Sequence, residues 1–144
     1  MGGFTHSVTI PRPPEDIFPW LLEADRVPQW TSNLERYEPE GAVGPGSRIR
    51  QRLEESGQTV DVTMEVVRYE PPREAQTRFS TNGVDIEATY RVAPDGAGTR
   101  LTQELEAKAR SFAARLIVPA VQPRLERKLI GDLERLQSLL SGGA

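Results

Sequence analysis

Residues 118–136 read VPAVQPRLERKLIGDLERL, and the meaning of this stretch decides the fold. Together with its flanks it sets Leu116, Val121, Leu125, Leu129, Leu133, Leu136 and Leu140 three to five residues apart, which gathers them into one stripe of a helix. Arg124, Arg127, Lys128, Glu134 and Arg135 occupy the remaining surface. From Pro123 to Leu140 a continuous helix runs about 27 Å at about 1.5 Å per residue. Pro119 and Pro123 each remove a backbone donor and crowd the preceding turn, which predicts a kink or restart. The expectation is a short helix from about Ser111 and a main helix beginning at Pro123. The prolines and Gly131 carry two meanings. They mark a helix start and a point of close packing, or they form a hinge over a cavity and leave space for a ligand.

A helix with one apolar stripe needs a partner surface, and the upstream residues supply it. From Leu34 onward the apolar period switches to two. NLERYEPEG, SRIRQRLEES, QTVDVTMEVVRYEPP, EAQTRFST, VDIEATYRVAPDG and TRLTQELEAKA read as six strands, separated by GAVGPG, ESG, PPR, TNG and PDGAG. Such short turns make hairpins, so the sheet is antiparallel. Val60, Val62, Met64 and Val66 alternate with Asp61, Thr63 and Glu65, leaving one dry and one wet face. A further strand, FTHSVTI, opens the chain with Phe4, His6, Val8 and Ile10 on one side. The stretch PEDIFPWLLEADRVPQW follows with helical spacing, divided by Pro19 and Pro28 into a pair of short helices. Only the C-terminal helix is long enough to cover the dry face.

The 144 residues suit a single domain spanning residues 1–144. A formal net charge of -3 argues against nucleic acid or anionic lipid as a default partner, while leaving room for local basic patches. Cysteine is absent, which excludes disulfides, thiolate chemistry and cysteine-based zinc sites, and the single histidine leaves few metal ligands beyond carboxylates. Neither a metal nor a cofactor is expected. No apolar run approaches the roughly 20 residues that span a bilayer, and MGGFTHSVTI has neither the basic nor the apolar region of a secretory leader. The expectation is a soluble, cytoplasmic protein without stable membrane insertion, as a monomer or homodimer.

The element order, with VTIPRPPEDIFPWLLEADRVPQW, the glycine-rich GAVGPGSRIRQRL and the ending LIGDLERLQSLL, resembles the START-like or Bet v 1-like superfamily (SRPBCC) over nearly the whole chain. Within it the chain is most similar to the polyketide cyclase/dehydrase and lipid transport family. The resemblance implies an α+β helix-grip fold: a seven-stranded curved antiparallel sheet wrapped around a long C-terminal helix, with two short helices after the first strand and a cavity between sheet and helix.

Inward parity selects the candidate ligand-binding residues. Gln51, Thr77, Tyr90 and Gln103 share a face with Ile49, Leu53, Phe79, Val92, Leu101 and Leu105. A few polar groups in an apolar cavity fix the orientation of a mostly apolar ligand; groups at wet strand ends, or bonded to one another, do nothing of the kind. Met64, Phe79, Ile86, Leu116 and Leu125 are the expected apolar walls, with Phe112 beside Leu116 and Trp30 at the cavity mouth. His6 and Tyr90 are the candidates for proton transfer, His6 because an imidazole titrates near working pH. Three functions compete: binding of an apolar or aromatic, lipid-like or polyketide-like small molecule; cyclase/dehydratase chemistry in the same cavity; and protein interaction by a domain with a filled core.

Overall fold

The computed structural model describes residues 2–55, 57–81 and 83–142, without the side chain of Glu55. Ser56 of the expected turn ESG and Asn82 of TNG lie outside the described residues. Each alternating segment forms a strand: β1 (Gly2–Ile10), β2 (Leu34–Pro39), β3 (Arg48–Glu55), β4 (Gln58–Glu70), β5 (Glu74–Thr81), β6 (Val84–Asp95) and β7 (Gly98–Ala109). They make one antiparallel sheet in the order β1-β7-β6-β5-β4-β3-β2. Strands β2 to β7 follow one another as neighbours, while β1 crosses to the far edge to pair with β7. Gly98 permits that crossing, because a Cβ there would stand 2.5 Å from the Ile10 carbonyl oxygen.

The inner face is dry as the alternation predicts: Val62, Met64 and Val66 of β4 and Val84, Ile86, Ala88 and Val92 of β6 are buried. The outer face pairs its own charges across strands, Arg78 with Glu65, Arg52 with Asp61 and Arg91 with Glu104. Exposed pairs of this kind contribute about 0–1 kcal/mol each.

Between β1 and β2 the proline-rich segment folds into α1 (Pro14–Ile17), a 3-10 turn Phe18–Trp20 and a second 3-10 turn Val27–Gln29. These are shorter than the expected helix pair, since Pro19 and Pro28 fall inside them. Their apolar side chains Ile17, Phe18, Leu21, Leu22 and Val27 are all buried. The Phe18 ring meets Tyr69 of β4 with centroids 5.4 Å apart.

The C-terminal helix differs from expectation. A single α-helix, α2 (Phe112–Ser141), runs through both Pro119 and Pro123 with no restart. Ser111 caps it, its Oγ accepting from the Ala114 N–H at 3.1 Å. Proline at 119 and 123 removes the donors that would reach the carbonyls of Arg115 and Pro119. Both of those residues are exposed, so the carbonyls that lose a donor are open to solvent, and the helix continues past the two gaps in its ladder. Gly131 also differs from expectation. It lies on the exposed side of α2, where an added Cβ would meet nothing within 4 Å, so it neither faces the sheet nor opens ligand space. The sheet-facing side is Ala114, Val118, Leu129, Asp132, Leu133, Leu136 and Leu140.

Candidate functional site

At one end of the sheet, where β7 runs into α2, helix and sheet do not close on each other. A cavity of about 270 Å³ remains there. Val62 of β4, Phe79 of β5, Ile86 of β6 and Ala107 of β7 form its floor, because each has inward parity near the same end of the sheet. Val118, Val121 and Leu125 of α2 form its roof. Polar groups gather at the rim: Asn33, Glu54, Gln122, Arg124 and Lys128. This is the usual layout of a site for a small apolar molecule, apolar walls with few polar groups, and its volume suits a compact ligand.

The rim is held by a network that ties α2 to the loop before β2. The Lys128 ammonium donates to the Ser32 carbonyl at 2.7 Å and to Asp132 Oδ2 at 2.8 Å, while the Ser32 N–H donates to Asp132 Oδ1 at 3.1 Å. Asp132 is 8% exposed, and a carboxylate so buried needs these partners. Asn33 adopts φ 62, a left-handed conformation that asparagine tolerates better than most residues, and its carbonyl accepts from the Glu54 N–H at 2.9 Å.

A second polar group lies deeper along the same inner face. His6 of β1, Gln103 of β7 and Tyr90 of β6 are successive cross-strand partners, forming one rung. Tyr90 is four residues beyond Ile86, or about 13 Å along the strand from the cavity floor. Burial pushes its phenol up to about 12, the Asp132 carboxylate adds to the rise, and a hydrogen bond with Gln103 opposes it. Tyr37 donates to the Leu22 carbonyl at 2.6 Å; burial, with Tyr90 nearby, raises its phenol far above the ordinary value. Both phenols therefore keep their protons at neutral pH, and the Tyr37 hydroxyl serves as a donor. His6 Nε2 is buried with no hydrogen-bond partner among the described residues.

The expected site residues thus fall into separate places. Phe79, Ile86 and Leu125 line the cavity. Met64 and Thr77 are buried on the adjoining inner face, Met64 accepting a hydrogen bond from Gln51 Nε2 at 3.2 Å. Tyr90 and Gln103 share the deeper rung with His6. Trp30 is core rather than mouth: it is buried and its Nε1 donates to the Trp20 carbonyl at 2.9 Å. Phe112 and Leu116 are not walls, being 75% and 68% exposed on the outer side of α2. Residues 112–121 are apolar nearly all round, so spacing alone did not set the phase of the helix there. Reasoning from parity also passed over Asp132, although its place three residues after Leu129 and four before Leu136 puts it on the same helical face. Among the described residues no group of three His, Asp or Glu stands close enough to hold a metal ion.

Residues 1–140 match the family model described as polyketide cyclase / dehydrase and lipid transport. The chain belongs to this family. No curated protein matches the sequence. Among solved structures, TTHA0849 from Thermus thermophilus is similar at TM-score 0.80 and 18% identity, over 99% of this chain and 100% of that one. Ara h 8.0201 gives 0.78 at 14% identity, over 96% of this chain and 97% of that one. The di-domain ARO/CYC StfQ from the steffimycin biosynthetic pathway gives 0.80 at 14% identity, over 97% of this chain and 50% of that one. At these identities the likenesses establish the Bet v 1-like helix-grip fold.

Proposed function

We propose that this member of the polyketide cyclase / dehydrase and lipid transport family binds an apolar or aromatic small molecule in the cavity between the sheet and the first half of α2. The observation that carries it is the cavity itself: about 270 Å³, with apolar walls on both sides and its charges confined to the rim. Binding is driven by removing apolar surface from water, at about 25 cal/mol per Å², and the rim groups orient whatever polar end the ligand has. Uptake of the fluorescent probe anilinonaphthalene sulfonate tests this. The expected result is saturable, single-site enhancement in the parent protein and its loss in Ala107→Phe, which fills the cavity floor. Equal enhancement in a folded Ala107→Phe protein defeats the proposal.

A second reading, ring closure or dehydration of a polyketide-like chain, is favoured by one observation. The His6–Gln103–Tyr90 rung places a protonated phenol and a buried imidazole Nε2 without a partner among the described residues on the same inner face. A substrate long enough to reach from cavity to rung would meet a donor and a base there. Loss of turnover in His6→Ala with ligand affinity retained supports this reading; unchanged turnover removes His6 from it.

A further inference from the structure

The first half of α2 carries an apolar surface that the fold does not bury. Phe112 and Leu116 are 75% and 68% exposed, and Ile117 and Val121 are 42% and 39% exposed. Ala113, Pro119, Ala120 and Pro123 are exposed between and beside them, so residues 112–123 contain one charged side chain, Arg115. Contiguous exposed apolar area of this kind marks a contact surface.

Charge selects the partner. Residues 110–127 hold four arginines, Arg110, Arg115, Arg124 and Arg127, against one acid, Glu126, a net of +3. The rest of the chain then carries -6, since the whole sums to -3. Arg110 is shared with Asp85 at 3.2 Å. A second copy packed on this face about a two-fold axis would bring the arginines of both copies together, which disfavours self-association. An anionic bilayer meets both features, as apolar side chains enter the headgroup boundary while arginines bind acidic headgroups.

The cavity gives this surface a use. Ile117 and Val121 are at once partly exposed and part of the cavity lining, so the apolar face and the cavity meet at the same side chains.

We propose that the outer face of residues 112–123 is a docking surface for an anionic lipid bilayer, and that apolar ligand passes through it between membrane and cavity without crossing water. The docking half stands on the surface alone; the ligand-transfer half rests on the binding function proposed above.

Co-sedimentation of the full chain with lipid vesicles tests it. With vesicles of phosphatidylcholine and phosphatidylglycerol the protein should pellet. With phosphatidylcholine alone, or at high salt, it should stay in solution. The double variant Phe112→Asp/Leu116→Asp should lose about tenfold or more in vesicle affinity, and Arg115→Glu/Arg127→Glu should lose the preference for anionic lipid. Leu139→Asp, at an exposed apolar position in the other half of α2, is the control and should bind as the parent does. Circular dichroism and probe uptake without vesicles keep the test independent of folding and of the cavity. If folded Phe112→Asp/Leu116→Asp binds like the parent, or the parent ignores anionic vesicles, docking is overturned. A dimer in sedimentation equilibrium that this double variant dissolves overturns it too, by making the face a self-interface. Vesicle binding without probe uptake supports docking while overturning ligand transfer.

Discussion

The two halves of α2 belong to one unbroken helix and are built on opposite rules. Residues 124–141 have buried leucines on one side, Leu129, Leu133, Leu136 and Leu140, with arginine, glutamate and serine prominent on the other. Side-chain tethers fix that half to the body: Lys128 and Asp132 to Ser32, Arg135 Nε to the Gln29 carbonyl, Gln137 Nε2 to the Thr9 carbonyl, and Arg12 Nε to the Leu140 carbonyl. Residues 112–123 bury only Ala114 and Val118 and turn their largest apolar side chains outward. Two prolines interrupt their ladder. The difference teaches that one half stabilises the domain, whereas the other half is spared that task and roofs the cavity.

The contrast breaks most sharply at Leu133, which is fully buried. Leu133→Ala should cost about 3 kcal/mol in urea unfolding, whereas equal cost at Leu116→Ala would erase the distinction between the halves. Next comes Asp132→Ala, which strands the Ser32 N–H and the Lys128 ammonium. A loss of about 1–3 kcal/mol is expected, and no change in the unfolding midpoint would show that the rim network does not hold the helix. Smaller again, Pro119→Ala restores a donor to the Arg115 carbonyl and should stabilise the protein by about 1 kcal/mol, with slower amide exchange confined to the first half. Alkaline titration sharpens the second half through its neighbour Tyr90. A phenol whose folded pKa is raised from 10.0 to about 12 stabilises the fold fully below about pH 10, and that contribution is lost as pH rises toward 12. Tyr90→Phe should flatten this part of the stability curve. The smallest effect is expected at Phe112→Asp/Leu116→Asp, within about 0.5 kcal/mol of the parent, because solvent already surrounds both residues.

The strands were legible because alternation leaves little choice. In β4 and β6 a slip of one residue would put aspartate and glutamate into the core, so the face of each strand follows from the residue order. The helix was legible only where its two sides differ, from Leu129 onward. Before that, the all-round apolar composition leaves the phase open, and the expectation of walls at Phe112 and Leu116 fails because both face water. Pro119 and Pro123 suggested a break because their missing donors are local facts; that the carbonyls they deprive are wet is a tertiary one. Asp132 was hidden by its charge, which ordinarily places a residue outside. Parity identified Tyr90 and Gln103 correctly as inward, but it carries no information about where along the sheet the helix departs and a cavity opens.

The crossing of β1 to the far edge of the sheet has a consequence for biosynthesis. Among the described residues β1 pairs with β7 alone, and Thr9 and Arg12 are bonded to residues 128 positions later in the chain, Gln137 and Leu140. A nascent chain can therefore build the β2 to β7 meander hairpin by hairpin, but β1 stays unpaired until β7 has been made. Contacts of such sequence separation slow folding. Until they form, an alternating strand with an unsatisfied edge remains open to the wrong partner.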